Sequence, residues 1–309
     1  MAEVVDLWET PVAKEIHMLA GWRQWADAGS VSSGLPQYLI QQMAARQIGE
    51  IRSDGFYLFQ IPATHDLLRP VVKFVDGYPE SLETQHNDLY YAGNEQRGLV
   101  IFVGDEPQMD IERYVSGFLQ AAQKLKVNTI LGLGGVYGEI PYDKERPVSC
   151  IYSQQEMKDA LEDLAVDLSD YQGGASIGSY LCKRAGEQGI KYMGMYTFVP
   201  AYDLSQIAEA GNNIRIETDF SAWLGVMRRA KYLLKLDIDL GDLEAKSRRL
   251  VEVMDAKVDE LDRDAPELNV RDYMRQLSDQ FSETQFEPLD KFWEDELKRL
   301  FDKFEQDEG

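Results

Sequence analysis

The amino-acid sequence predicts an α/β fold: a sheet with helices on both faces, followed by a helical C-terminal extension. Strand-like and helix-like segments alternate over the first two-thirds of the chain, as in sheets with crossover helices. Residues 127–133 are a continuous apolar run, which is typical of a parallel strand buried on both faces. Together with a strand at 99–103 and a helix at 111–125, this run forms the clearest βαβ unit, whose crossover should be right-handed.

The N-terminal elements follow from apolar periodicity and from turn residues. A strand is predicted at 15–21, where apolar side chains alternate, and a turn follows at 27–30. Residues 31–48 have the apolar spacing of a helix, with Pro36 in the first turn, where its missing N–H costs little. Further strands are predicted at 55–61 and 71–75, while the rest of the stretch 62–97 is expected to be irregular and partly extended over the surface.

The second half of the sheet region continues the alternation. One more strand is expected at 192–199, where apolar residues predominate. Amphipathic spacing predicts three more helices beyond the βαβ unit, at 157–164, 176–187 and 221–234.

The last part of the chain differs in charge and pattern. Residues 237–309 contain 23 acidic and 11 basic side chains, and three amphipathic stripes separated by Pro266 and Pro288. We therefore divide the chain into an α/β core domain, 1–236, and an acidic helical extension, 237–309. The stripes must be buried on the sheet domain, on each other or on a partner. Their apolar residues are Leu243, Leu250, Met254 and Leu261; Val270, Tyr273, Met274, Leu277 and Phe281; and Leu289, Phe292, Trp293, Leu297, Leu300, Phe301 and Phe304.

Composition excludes several classes of protein. The formal net charge of −22 disfavours binding to nucleic acid, which needs a basic surface, and to anionic membranes. Two cysteines among 309 residues cannot form a disulfide scaffold. No apolar run approaches the length of a membrane span, and the first twenty residues lack the apolar region of a signal peptide. We therefore expect a cytoplasmic protein.

Catalytic motifs are weak. Residues 174–178 match G-x-S-x-G, but all three histidines precede Ser176, so a hydrolase triad in the usual order is excluded. A tight turn with Ser176 as N-cap is the simpler interpretation. Residues 132–138 are glycine-rich after a strand, but two prolines follow where a dinucleotide site requires a helix. The cysteines are isolated and no metal-ligand spacing occurs, so no cofactor or metal is expected.

Polar and glycine-rich segments follow several predicted strands. Ligands collect at the carboxyl ends of parallel strands, so these segments would form a common rim if their strands are parallel. An acidic rim suits a cation or a hydroxyl-bearing ligand, whereas helix capping and turn formation are the simpler roles. The candidate ligand-binding residues are Asp27, Gly29, Ser30, Asp105, Glu106, Gly134, Gly135, Gly174 and Ser176.

Taken in order, a series of short motifs resembles the proteasome-assembly-chaperone family, in particular bacterial and archaeal relatives of its second member. Each motif is weak alone, but their order and spacing over residues 15–245 make the resemblance specific. The motifs are Gly21-Trp22, Asp27-Ala28-Gly29, Arg69-Pro70, Gly104-Asp105-Glu106-Pro107, Leu133-Gly134-Gly135, Ile140-Pro141-Tyr142, Arg146-Pro147, Tyr171-Gln172-Gly173-Gly174, Val199-Pro200-Ala201-Tyr202 and residues 236–243.

The resemblance implies a three-layer α/β/α sandwich of the phosphorylase/hydrolase-like type with a helical C-terminal extension. It also implies a homo-oligomer, most simply a trimer, and a protein client in some relatives. Two departures stand out. The sequence ends in Asp307-Glu308-Gly309, without the hydrophobic-Tyr-X tail by which archaeal relatives dock on proteasomes, and Tyr142 stands where the family is expected to have His.

These observations favour a protein-binding function: an assembly-chaperone-like or scaffold homo-oligomer without catalysis, whose acidic faces would select a basic client. The alternative is a small-molecule binding protein or enzyme that uses the strand-end rim for a nucleoside- or phosphate-type ligand. Fold type alone does not decide between them.

Overall fold

A mixed sheet of ten strands forms the centre of the computed structural model, which describes residues 4–59, 69–202, 214–266 and 269–286. In the described residues the strands are β1 Val5–Leu7, β2 Glu15–Arg23, β3 Arg46–Ile51, β4 Val71–Val75, β5 Tyr78–Glu83, β6 Asn87–Gly93, β7 Arg97–Asp105, β8 Thr129–Gly138, β9 Val148–Tyr152, β10 Asp167–Leu168, β11 Tyr192–Tyr202 and β12 Ile214–Arg215. The helices are α1 Gly34–Gln42, α2 Ile111–Lys124, α3 Asp159–Glu162, α4 Ile177–Glu187, α5 Phe220–Leu234, α6 Gly241–Asp264 and α7 Val270–Gln280.

The sheet has the order β1-β3-β6-β7-β2-β8-β11-β9-β10, with β12 paired to β11. Its centre is parallel, because β2 pairs in parallel with β7 and β8, and β8 pairs in parallel with β11. The predicted βαβ unit is present as β7, α2 and β8, with β2 lying between its two strands. Strands β4 and β5 form a separate two-stranded sheet.

Helices cover both faces of the sheet, which confirms the α/β prediction and the three-layer arrangement. One apolar cluster includes residues of α1, α5, α6 and α7 on one face, and a second includes residues of α2 and α4 on the other. Because both faces are covered, the central strand β8 buries residues from Ile130 to Gly135, as its continuous apolar pattern predicts.

The helix predicted at 31–48 is too long, and its last third, 43–48, is wrong. Helix α1 ends at Gln42, and β3 begins at Arg46. The amide of Ala45 donates to the carbonyl of Ile40 (2.9 Å), and Ala44 adopts a left-handed φ of 48°. This is a helix-terminating turn whose left-handed position usually holds glycine, so the alanine gives no stop signal in the sequence.

The region 55–97 also differs from the prediction. Residues 55–59 are not in a strand: a turn spans 54–56, with Gly55 at a φ of 82°, while 60 and 61 lie outside the described residues. The part of 62–97 expected to be irregular contains two strands, β5 and β6, and β6 is inserted antiparallel between β3 and β7. The strand at 71–75 exists as β4, but it belongs to the separate hairpin.

The described part of the C-terminal extension packs on the sheet domain. Leu243 and Met254 of α6, and Val270 and Met274 of α7, are buried in the same apolar cluster as α5. The apolar stripes predicted for α6 and α7 therefore pack within the chain, while the third stripe lies outside the described residues. The domain boundary between residues 236 and 237 stays a prediction. No helix in the described ranges is long and apolar enough to cross a membrane.

Two fully buried arginines connect distant segments on this face. Arg146 pairs with Asp219 at 2.8 Å, and neither side chain is exposed to solvent. Arg229 donates to the carbonyls of Leu164 and Gly225 and to the carboxylate of Glu145 (2.9 Å).

Candidate functional site

The rim at the carboxyl ends of β2, β7 and β8 brings the predicted site segments together. Because these strands are parallel, the segments that follow them lie at one edge of the sheet. The amide of Gly135 donates to the carbonyl of Ala26 (2.8 Å), and the amide of Ile177 donates to the Glu106 carboxylate (2.8 Å). The expectation that Asp27, Asp105 and Glu106 share one rim therefore agrees with the strand directions.

Asp27 is engaged within its own turn. Its carboxylate accepts hydrogen bonds from the amides of Ser32 (3.0 Å) and Ser33 (2.8 Å) and from the Ser33 hydroxyl (2.6 Å). Burial raises the pKa of Asp27, and these hydrogen bonds oppose the rise. Asp27 thus stabilises the turn that leads into α1.

Asp105 is engaged as well. Its carboxylate forms a two-point ion pair with Arg23, at 2.7 and 2.8 Å, and accepts the amide of His86 at 3.1 Å. This carboxylate is buried, so the guanidinium supplies the countercharge that burial requires. The pair links the ends of β2 and β7 across the rim.

Glu106 and Ser176 meet at the first turn of α4. Glu106 accepts the amide of Ile177, and Ser176 caps the helix by accepting the amide of Ser179 (3.2 Å). The Ser176 hydroxyl also lies 3.1 Å from the hydroxyl of Tyr196. Burial raises the pKa of Glu106, while backbone hydrogen bonds from Ile177 and Trp25 oppose the rise. A protein carboxylate therefore occupies the position that an anionic ligand would take at this helix end.

The candidate glycines differ in what surrounds them. A Cβ on Gly135 would lie 2.0 Å from the carbonyl oxygen of Ala28, and one on Gly134 would lie 2.3 Å from the ring of Tyr196. Gly29 has a left-handed φ of 62°, which favours glycine. Nothing lies within 4 Å of a Cβ placed on Gly174.

Ser30 lies at the outer end of the same turn. Its hydroxyl donates to the carbonyl of Glu217 at 2.8 Å, although the two residues are far apart in the sequence. The contact joins the rim to the segment that precedes α5. The polar side chains among the nine candidates thus have partners within the protein.

The space enclosed at the rim is small. A cavity of about 10 Å³ lies among the side chains of Trp22, Trp25, Glu106, Ser176 and Tyr196. Such a volume holds about one water molecule, whereas pockets for small ligands measure about 300–1,000 Å³. In this conformation the rim has no room for a nucleoside.

A larger groove, about 390 Å³, lies at the opposite edge, where β8 begins. Sequence reasoning missed it, because the ends of α2 and β8 and the connecting segments that line it carry no recognisable motif. The lining residues are Ala122, Gln123, Val127, Asn128, Thr129, Gly189, Ile190 and Lys191. Its lining contains one cationic side chain, that of Lys191, and no carboxylate. Within the described ranges no group of three potential metal ligands is found.

Exposed apolar side chains occur in the segments at the rim, including the end of β8. Trp25 and Tyr171 are each more than 70% exposed, and Met109, Val136 and Tyr137 are exposed as well. The sequence alone does not identify these side chains as exposed, because their exposure depends on the completed fold. Large apolar patches that are exposed on a protein surface often mark contact surfaces.

Comparison with known proteins is consistent with the motif series. The chain matches the PAC2 family over residues 22–258, which includes the rim, the sheet from the end of β2 onward and most of α6. This chain belongs to the PAC2 family. None of the curated proteins matches it significantly.

Solved structures of PAC2-like proteins have the same fold. A proteasome-assembly chaperone homologue from Mycobacterium tuberculosis is 22% identical, with a TM-score of 0.66 over 78% of this chain and 94% of its own. A Corynebacterium glutamicum protein of unknown function is 16% identical, with a TM-score of 0.72 over 90% and 97% of the two chains. An archaeal proteasome activator from Pyrococcus furiosus is 18% identical, with a TM-score of 0.58 over 82% and 97%.

The raised pKa of Glu106 predicts a specific pH dependence. A carboxyl group whose pKa is higher in the folded than in the unfolded state stabilises the folded state fully at pH values below its unfolded-state pKa. This contribution is lost as the pH rises through its folded-state pKa. Glu106→Gln keeps an acceptor for the Ile177 amide and removes the buried charge. Between pH 4 and 7, we therefore expect the variant to gain unfolding free energy relative to the wild type as the pH rises. Urea unfolding at each pH measures this difference in unfolding free energy. Glu252→Gln, at an exposed position of α6, is the control. If the unfolding free energies of Glu106→Gln and the wild type change in parallel with pH, the prediction is wrong.

Proposed function

We propose that this PAC2 protein is a protein-binding, assembly-chaperone-like homo-oligomer, most simply a trimer, that acts in the cytoplasm without catalysis. The observation that carries the proposal is the family match over residues 22–258. Structural relatives described as a proteasome-assembly chaperone homologue and as a proteasome activator support it.

The geometry of the rim supports a binding role over a catalytic one. The carboxylates of Asp27, Asp105 and Glu106 are held by hydrogen bonds within the protein, and the enclosed cavity has room for about one water molecule. A catalytic acid or base needs access to a substrate proton. By contrast, Trp25, Tyr137 and Tyr171 present large side chains to solvent at the same edge. Aromatic residues of this kind are enriched at protein interfaces.

Charge suggests the chemistry of the client. The chain has a formal net charge of −22, and electrostatic attraction would raise the rate at which it meets a basic protein surface. We propose a client with basic side chains around an apolar contact. Such binding should weaken with salt, because exposed charges are screened at high ionic strength.

Native mass spectrometry of the protein purified gently from its own host tests the proposal. We expect a homo-oligomer that carries substoichiometric copies of a second protein, and the second protein should dissociate at high salt. A bare monomer would contradict self-assembly. A homo-oligomer that retains a small molecule and no protein would contradict the protein-binding function and favour a ligand at the rim.

A ligand screen addresses the small-molecule alternative directly. We expect no thermal shift with nucleosides, nucleotides or phosphate, because the rim cavity is too small for them. We expect none with divalent cations either, because the rim carboxylates are already held by hydrogen bonds within the protein. A ligand present at about 100 times its Kd would stabilise the folded state by about 2.7 kcal/mol, which a melting curve detects readily. A saturable shift that disappears in the Glu106→Gln variant would contradict this expectation.

A further inference from the structure

Residues 281–286 follow α7 as a strap that forms neither helix nor strand. Phe286, at the end of the strap, is only 4% exposed. Its ring centroid lies 5.0 Å from the guanidinium carbon of Arg229 and 5.8 Å from the ring centroid of Tyr232, two residues of α5. A ring packed against a buried guanidinium and an aromatic neighbour makes a favourable contact. Phe286 is therefore the anchor that holds the strap on α5.

The strap also contacts one short segment of the core, residues 144–146. The Glu283 carboxylate accepts the amide of Glu145 (2.9 Å), and the Phe286 amide donates to the Glu145 carboxylate (3.3 Å). The other oxygen of that carboxylate accepts a hydrogen bond from buried Arg229 at 2.9 Å. The strap thus covers the ion pair between Glu145 and Arg229. Such a pair is stronger where water is excluded, because the local dielectric constant is lower.

The same segment is connected to the rim. Arg146, its last residue, pairs with Asp219 at 2.8 Å. The amide of Asp219 donates to the carbonyl of Gly29 (3.0 Å), and the indole N–H of Trp223 donates to the same carbonyl (3.0 Å). Gly29 belongs to the rim turn, residues 27–33. An unbroken series of contacts therefore runs from the strap to this turn.

The contacts between the 144–146 segment and the rim turn are buried and close. Neither the Arg146 nor the Asp219 side chain is exposed. A Cβ placed on Gly29 would lie 2.9 Å from the Cβ of Asp219, so no gap separates the turn from the start of α5. A close-packed interior transmits a displacement instead of absorbing it. A shift of the 144–146 segment is therefore passed on to the rim turn.

We propose that the strap is a conformational latch for the rim turn. With Phe286 seated, the ion pair beneath it is shielded from water, and the 144–146 segment holds the turn in the observed arrangement. When Phe286 leaves, water weakens this ion pair, the segment relaxes and the turn opens more often. A molecule that binds the strap thereby regulates the rim. By linkage, a client bound at the turn changes how firmly the strap is held.

Hydrogen exchange in the full chain tests the latch with Phe286→Ala. The amides of Ser32 and Ser33, which we call the turn amides, donate to the Asp27 carboxylate and report on opening of the turn. We expect their exchange to accelerate on the order of 10-fold, within the usual range of coupling between packed sites. The amides of β8 should accelerate less, because exchange in core strands reports on global unfolding.

Leu119→Ala is the matched control for lost stability. Leu119 is 1% exposed and belongs to the apolar cluster on the other face of the sheet. Removing a buried leucine side chain destabilises a protein about as much as removing a buried phenylalanine side chain. We expect the turn amides of this variant to accelerate no more than the amides of β8.

A double-mutant cycle tests whether the 144–146 segment carries the effect. Glu145→Gln keeps an oxygen for the Phe286 amide and removes the charge that pairs with Arg229. If both changes act through this ion pair, the effects of Phe286→Ala and Glu145→Gln on the turn amides are not additive. The effects of Phe286→Ala and Leu119→Ala should add, because the two residues lie on opposite faces of the sheet.

Two results would overturn the inference. One is exchange of the turn amides in Phe286→Ala that is unchanged or accelerates no more than that of the β8 amides, which would make the strap a stabilising contact alone. The other is additivity of Phe286→Ala and Glu145→Gln, which would place the coupling outside the 144–146 segment. All of these contacts lie within one chain, so the latch can be wrong while the proposed function stands.

Discussion

Replacing Arg146 by methionine is expected to lower the free energy of unfolding by about 3–5 kcal/mol, the cost of leaving one charge of a buried ion pair without its partner. The Arg146 guanidinium donates to Asp219 (2.8 Å) and to the carbonyls of Tyr142 (2.9 Å) and Lys144 (2.6 Å). None of its side chain is exposed. Methionine fills similar volume but restores none of these hydrogen bonds.

The loss should be large because Asp219 has a second role. Its Oδ1 atom accepts the amides of Ser221 and Ala222, both at 3.0 Å, and so caps the N-terminus of α5. With Arg146 replaced, this carboxylate stays buried against the helix end without its countercharge. Arg146 therefore holds the segment before β9 and the start of α5 in one arrangement.

Urea denaturation of Arg146→Met measures the effect, with Arg271→Met as the matched control. Arg271 pairs with Asp259 (2.6 Å) and Asp262 (3.3 Å) on the exposed surface of α6 and α7. Exposed ion pairs contribute less than about 1 kcal/mol, so the control should unfold almost as the wild type does. Equal destabilisation of the two variants would show that burial of Arg146 has no special energetic consequence.

The elements that the sequence predicts correctly are those with a strong period and clear ends. Strand β8 has a continuous apolar run, and helix α2 has a helical apolar period. The predicted bounds of both elements agree with the observed bounds to within about five residues. The end of α1 is predicted wrongly for a local reason, because Ala44 adopts the left-handed conformation that usually requires glycine. The sequence does not predict strand β6, because its partners β3 and β7 determine its place in the sheet. Pairing between strands that are distant in the sequence has no local signal.

The site shows the same division. The strand-end rule places Asp105 and Glu106 on the rim correctly, because it depends on strand direction alone. Their partners could not be predicted, since Arg23 and Ile177 lie 82 and 71 residues away in the sequence. Likewise the sequence contains Arg146 in a family motif, but its pairing with Asp219, 73 residues away, depends on the completed fold.

The glycine motif within β8 gives the second large effect: Gly135→Ala is expected to lower the free energy of unfolding by about 3 kcal/mol, the upper end of the usual cost of overpacking. The added Cβ would lie 2.0 Å from the carbonyl oxygen of Ala28 and 2.9 Å from its carbonyl carbon. Both are backbone atoms, which cannot rotate away as a side chain can. The turn that contains Asp27 must therefore move, and the hydrogen bond from Gly135 to Ala26 must lengthen.

Gly174→Ala is the matched control, because nothing lies within 4 Å of a Cβ at that position. We expect its stability to stay within about 0.5 kcal/mol of the wild type, as for most surface substitutions. Urea denaturation compares the two, and hydrogen exchange at the amides of Ser32 and Ser33, which donate to Asp27, reports whether the turn has moved. If Gly135→Ala keeps both the stability and the protection of these amides, close backbone packing cannot be the reason for glycine at this position. A role in admitting a ligand at the rim would then be the better explanation.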